Sequence, residues 1–175
     1  PYRRQRQMCI RDRALIDELH SALDPKAYRK AVALLAESEF IDIFGVENSL
    51  TPAMDLFTKL GYLGLTCRLN TDAYLQQIGA GHLPHGAVAV AFSHSGSSAD
   101  TVKALRLAKS HGAKTIAITN AIGAPLASWA DVTLLTGRDS HTIYGNAIFS
   151  RVADTALVDM LYMGVILSDY GRFST

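Results

Sequence analysis

The sequence predicts an α/β fold, a three-layer αβα sandwich built around a five-stranded parallel sheet, and three observations lead there. Ala87–Phe92 is apolar with no polar alternation, as a strand covered on both faces requires. A Ser/Gly-rich turn follows it directly, and from Ala99 apolar residues return at helical spacing. Short apolar runs of the same kind recur at Phe40–Phe44, Gly64–Arg68, Lys114–Thr119 and Asp131–Leu135, each separated from the next by a helical or turn pattern. Strands that alternate with helices in this way form a doubly wound sheet.

Composition sets the outer bounds. The 175 residues, 49% hydrophobic and 19% charged, suit one domain with a sizeable core. No apolar run approaches the 18 or so residues of a membrane helix, and no signal-peptide pattern is present, so a cytoplasmic chain without a membrane partner is expected. Cys9 and Cys67 form neither a disulfide framework nor a CxxC pair and are expected to be free thiols. The net charge of +1 conceals a split: residues 1–13 hold five arginines against one aspartate, which leaves residues 14–175 at −3. This basic leader reads either as an electrostatic arm or, preferably, as a non-native or disordered appendage; residues 14–175 form the single domain. Its acidic balance gives no reason to expect nucleic-acid binding.

The elements follow in order. Helical spacing begins at Ala14, and Asp24-Pro25 then supplies the N-cap and first position of a second helix, with Tyr28, Val32, Leu35 and Ala36 inward. The strand Phe40–Phe44 is interrupted once, by Asp42. After Gly45-Val46-Glu47-Asn48-Ser49 comes a helix with Ala53, Leu56, Phe57 and Leu60 inward, capped by Ser49 or Thr51 and closed by Gly61. Gly64–Arg68 is a strand and Thr71–Ile78 a helix opening at Thr71 or Asp72. Past the central strand a helix capped by Ser98 presents Val102, Leu105 and Ala108 to the core and stops at Gly112. Ala124–Trp129 allows a short helix, and Thr136–Gly145 is a polar loop long enough to reach a site. Asn146–Leu167 is expected to be the longest helix, with Phe149, Val152, Ala153, Ala156, Leu157, Met160 and Leu161 on one broad face. So apolar a helix either fills the core or packs on a second copy, and a homodimer or tetramer is expected.

In open parallel sheets ligands sit beyond the carboxyl ends of the strands. That rule gathers Asn48-Ser49, Ser93–Ser98 and Asn120 at one edge. The loop Ser93-His94-Ser95-Gly96-Ser97-Ser98 sets four hydroxyls around one glycine, just where a helix begins and its first N–H groups lack intrahelical partners. Such a loop suits phosphate; a loop that only caps its helix and turns the chain is the alternative. Other chemistries fail on spacing. GxxxxGK[ST] is absent, Gly79-Ala80-Gly81 lacks the third glycine and precedes a strand, and no glycine stands two residues before Ser95, so P-loop, dinucleotide and serine-hydrolase readings are set aside. His82 and His85 have no accompanying ligand set and are read as surface histidines. No metal and no cofactor is implied.

At these residues the chain resembles the SIS (sugar isomerase) domain, a flavodoxin-like doubly wound fold. The resemblance runs from about Asp24 to Leu167 through FGVENSLTPAMDLFTKLGYLG, VAFSHSGSSADTVKALRLAKSHGAKTIAITN and APLASWADVTL. Within the family it is most similar to the effector-binding domains of RpiR-type transcriptional regulators, through AYLQQIGAGHLPHGAVAVAFSHSGSSADTV and AIFSRVADTALVDMLY. The resemblance implies recognition of a phosphorylated sugar, with Ser49, Ser93, Ser95 and Ser98 as its serines. Two departures stand out. Only about ten helical residues precede Asp24, too few for the helix-turn-helix of such regulators, so no direct DNA binding by this chain is expected. Glu47 also stands where the family usually has glycine or a small residue.

Two functions compete on this fold. In a phosphosugar sensor the hydroxyls of Ser49, Ser93, Ser95 and Ser98 and the loop amides hold the phosphate, Asn48, Glu47 and Asn120 lie near the sugar, and His94, Gly96 and Ser97 complete the ligand site. In an aldose–ketose phosphate isomerase, a base from among Glu47, His94 and His141 moves a proton between adjacent carbons. The sensor is the preferred reading.

Overall fold

The structure, a computed structural model, describes residues 2–138 and 150–174. Five parallel strands, β1 (Ile41–Phe44), β2 (Cys67–Leu69), β3 (Val88–Phe92), β4 (Lys114–Thr119) and β5 (Val132–Leu135), form one sheet in the order β2-β1-β3-β4-β5. The helices are α1 (Tyr2–Ala22), α2 (Pro25–Glu37), α3 (Leu50–Tyr62), α4 (Ala73–Ala80), α5 (Ala99–Ser110), α6 (Val152–Ser168) and the short α7 (Tyr170–Phe173). The expected α/β sandwich with its all-parallel sheet is therefore present.

Alternation along the strands separates the two faces of the sheet. Val88, Val90 and Phe92 of β3 join Ile41, Ile43, Ile116 and Ile118 in a core shared with α1, α2, α3 and α6. Ala87, Ala89 and Ala91, with Ala117 of β4, face the other way toward Ala104, Leu105 and Ala108 of α5 and Leu126. The small side chains on that face let α5 lie close to β3, and this fixes where the α5 N-terminus stands. Asp24 caps α2 by accepting from the Lys26 and Ala27 amides, and Asp72 caps α4 by accepting from Leu75.

Several boundaries and faces differ from expectation. β2 begins at Cys67, because Gly64 takes a φ of 72° and the chain is still turning there. The buried face of α5 is Thr101, Ala104, Leu105 and Ala108, with Val102 only half-buried, because the alanine surface of the sheet accepts small residues most closely. Pro125–Trp129 is a 3₁₀ turn. Ser150 and Arg151 precede α6 and are not helical, so that helix starts at Val152 and not at Asn146; Phe149 lies outside the described residues. Its inward face is Ala153, Asp154, Leu157, Val158, Leu161 and Val165, while Met160 turns partly outward. At 17 residues α6 is also shorter than α1, which has 21. Gly164 explains its close approach to α2: a Cβ there would lie 2.4 Å from the Tyr28 hydroxyl, which donates to the Met160 carbonyl at 2.6 Å.

Asp42, the one polar residue in β1, is 1% exposed and receives Nε and Nη2 of Arg68 at 3.0 and 2.6 Å. Burial pushes its carboxyl above the usual carboxylate range, against the pull of the guanidinium. The pair links β1 to β2 in register, and Gly79 leaves room for it, since a Cβ there would lie 2.7 Å from Arg68 Nη2 and the guanidinium would have to shift. Breaking one partner of a buried pair strands the other. Asp42→Ala is expected to cost about 3 kcal/mol in urea unfolding, the low end for such pairs because Arg68 keeps some contact with water. A loss under about 0.5 kcal/mol would show that the pair contributes nothing net.

Candidate functional site

The strand order reverses its direction of growth between β1 and β3, so the loops leaving these two strands diverge and open a crevice. A cavity of about 410 Å³ lies there, lined by Val46, Glu47, Asn48 and Ser49 after β1, by Ser93, His94, Ser95, Ser97, Ser98 and Asp100 after β3, and by Arg151. Its volume is in the range that holds a small polar metabolite.

The loop after β3 is fixed mainly through its backbone. The His94 carbonyl accepts from the Asn120 amide at 3.0 Å and from the Thr119 hydroxyl at 3.1 Å, which ties the loop to the end of β4. The Gly96 amide donates to the Ser93 carbonyl at 2.9 Å, and the Gly96 carbonyl accepts from Leu126 at 2.9 Å. Gly96 has a φ of 62°, and a Cβ there would lie 2.3 Å from the Ala124 Cβ and 2.8 Å from Thr119 Oγ1. Only glycine fits that turn.

The hydroxyls are placed differently from the expected helix cap. Ser98 occupies the N-cap position of α5 but makes no side-chain bond to the first-turn amides; its Oγ accepts from Thr101 Oγ1 at 3.3 Å. Ser95 Oγ accepts from the Ser97 hydroxyl at 3.0 Å and from the Ser97 amide at 3.3 Å. Several hydroxyls thus gather beside the positive end of α5. Ser93 is buried, whereas Ser95 and Ser97 are exposed.

On the other wall Gln76 holds the exit of β1. Its side chain accepts from the Gly45 amide at 3.3 Å and donates to the Gly45 and Asn70 carbonyls at 2.7 Å each. Glu47–Ser49 then forms a 3₁₀ turn before α3. Glu47 has a φ of 52°, the left-handed backbone that glycine adopts without cost, and its side chain is exposed. Glu47 therefore holds, without glycine's freedom, a backbone conformation that glycine favours.

Most residues expected at the site meet in the cavity: Glu47, Asn48, Ser49, Ser93, His94, Ser95, Ser97 and Ser98 all line it. Gly96 shapes the turn without lining the cavity, and Asn120 stands behind it with Nδ2 3.5 Å from His94 Nε2. His141 lies outside the described residues. Arg151 and Asp100 were not singled out as site residues from sequence. Arg151 Nε donates to the Asn48 carbonyl at 3.3 Å, and Nη1 lies 3.7 Å from Asp154 Oδ2. Burial pushes the Asp154 carboxyl above the usual range, while bonding from Thr136 and the charge of Arg151 draw it back. With the helix start placed at Asn146, Arg151 fell inside a helix; its position just before the first turn was the signal that was missed. Asp100 accepts from Gln77 Nε2 at 3.2 Å.

Fold and cavity together define a doubly wound α/β domain with a pocket at its switch point. The SIS domain model matches residues 34–164, and the chain belongs to that family. An uncharacterized HTH-type transcriptional regulator of Caldanaerobacter subterraneus is 32% identical over 155 residues, which are 89% of this chain and 55% of the regulator. The chain spans about half the length of the curated relatives it matches. Among solved structures, the NanR protein of Vibrio vulnificus complexed with ManNAc-6P superposes with a TM-score of 0.84 at 25% identity, covering 94% of this chain and 64% of NanR. The sugar isomerase domain of an RpiR transcription factor from Sphaerobacter thermophilus shares the fold, with a TM-score of 0.87 at 22% identity over 96% of this chain and 92% of that one.

The two unusual loop backbones should respond oppositely to substitution. Gly96→Ala combines a positive φ with a collision against Ala124 and Thr119 and is expected to lower stability by about 2–3 kcal/mol. Glu47→Gly removes a strained φ and is expected to leave the urea midpoint unchanged or slightly raised. A wild-type midpoint for Gly96→Ala, or a large drop for Glu47→Gly, would contradict the backbone conformations described.

Proposed function

We propose that this chain is the effector-binding domain of an RpiR-type transcriptional regulator and that its effector is a phosphorylated sugar held in the β1/β3 cavity. The observation that carries this reading is the clustering of Ser93, Ser95, Ser97 and Ser98 at the N-terminus of α5 on the wall of that cavity. Hydroxyls and first-turn amides bind a phosphate dianion without a lysine or arginine in the loop. Hydrogen bonds to a charged group contribute about 1.5–3 kcal/mol each, so a few suffice for micromolar affinity. Ser49 on the facing wall adds a further hydroxyl for the phosphate, and Asn48 and Glu47 beside it are left to meet the sugar. The complex of NanR with ManNAc-6P supports the ligand class.

The same reading includes a homodimer. Met160, Met163 and Leu167 on the outer side of α6 are 37%, 49% and 68% exposed, which gives a second copy an apolar surface to cover. No helix among the described residues is long and apolar enough to cross a membrane.

Ser95→Ala and Ser98→Ala are each expected to weaken binding of hexose 6-phosphates about tenfold in calorimetric titration, with unfolding midpoints unchanged. Equal affinity in both variants and wild type would remove the serine loop from the site. Proton NMR of aldose and ketose phosphates incubated with the protein is expected to show line broadening without a new isomer. Conversion abolished by Glu47→Gln would instead establish an isomerase, with a base drawn from the cavity wall.

A further inference from the structure

We propose that Arg151 reads the sugar end of the ligand and favours a phosphosugar bearing a carboxylate over its neutral counterpart, an inference that rests on the phosphosugar reading above. Among the described residues that line the cavity, Arg151 supplies the one guanidinium or ammonium group. The phosphate has no need of it, because the serine loop and the α5 N-terminus already offer hydroxyl and amide donors. Arg151 also enters from the other wall: its Nε bond to the Asn48 carbonyl fastens it to the loop after β1, across the crevice from Ser93–Ser98. A ligand whose phosphate sits in the serine loop therefore turns its opposite end toward this side chain.

The guanidinium is held from behind. Asp154, in the first turn of α6, faces Nη1 at 3.7 Å, close enough to orient the charge but beyond a direct hydrogen bond. The two side chains are only 15% and 9% exposed, so charge interactions at this point are screened less than at an open surface. The acidic side chains in the lining, Glu47 and Asp100, offer a second anion on the ligand no favourable partner, which leaves Arg151 to meet it once the serine loop holds the phosphate. A planar guanidinium is also the side chain best shaped for carboxylate recognition.

The test is a calorimetric comparison of three probes, inorganic phosphate, glucose 6-phosphate and 6-phosphogluconate, on wild type, Arg151→Gln and Arg151→Lys. The two probes differ at C1, where the second bears a carboxylate, and in ring form, because glucose 6-phosphate is mostly a closed pyranose and the acid is open-chain. The change between wild type and the Arg151 variants is therefore what isolates the charge. Wild type is expected to favour the acid by about tenfold, Arg151→Gln to abolish that preference, and Arg151→Lys to restore part of it. Affinity for inorganic phosphate should change by less than about twofold in either variant. No preference in wild type, or one that survives in Arg151→Gln, would overturn the assignment. So would an equal loss for all three probes, which marks a phosphate contact or a purely structural role, the latter also lowering the unfolding midpoint. Wild type that binds neither sugar phosphate fails at the earlier step, the phosphosugar reading itself, and removes this proposal with it.

Discussion

The cavity depends on how the His94 carbonyl is held. Two donors from the end of β4, the Asn120 amide and the Thr119 hydroxyl, converge on that one oxygen, and the next turn is pinned by the Gly96 carbonyl accepting from Leu126. The loop after β3 is thus anchored largely by backbone groups to its neighbours in the sheet, and most of its serine hydroxyls are not consumed in anchoring it. A loop anchored instead by its serines would have little chemistry left to offer a ligand. The division of labour between backbone and side chain lets one six-residue segment be held in place while its hydroxyls stay on the cavity wall.

The rest of the fold places that segment opposite a second one. Alanines on one face of β3 and β4 bring α5 against the sheet, and this sets the positive end of its dipole beside the serines. Gln76 fixes the exit of β1, so Glu47–Ser49 turns back toward the same crevice, and Arg151 joins that turn to the beginning of α6. The helix that follows Arg151, α6, packs in turn on α1, α2 and α3 in the larger core.

Much of this was legible in the sequence. An apolar run without alternation, a loop of serines around a glycine and a helical pattern after it are local signals, and β3, its loop and α5 follow from them directly. Gly96 was singled out as the glycine of the serine loop that lets the backbone approach an anion, but its positive φ and its closeness to Ala124 and Thr119 emerge only from the fold. What escaped depended on distant partners. Asp42 interrupts a strand for no local reason; its explanation is Arg68, 26 positions on. Ser98 was placed correctly at the head of α5, but whether its hydroxyl turns to an amide or to Thr101 is decided by loop geometry. The apolar residues after Asn146 continue the pattern of α6, so its start was set too early and Arg151 was hidden inside it. Periodicity finds the face of a helix better than its first residue.

The central claim, that phosphate is held by the hydroxyls and first-turn amides at the head of α5, is tested most directly by amide NMR during titration with a hexose 6-phosphate. The largest shifts are expected on Ser95–Thr101, with inorganic phosphate alone reproducing them, while shifts at Glu47 and Asn48 appear only with the sugar. Phosphate-induced shifts centred elsewhere, with Ser95–Thr101 unmoved, would contradict it.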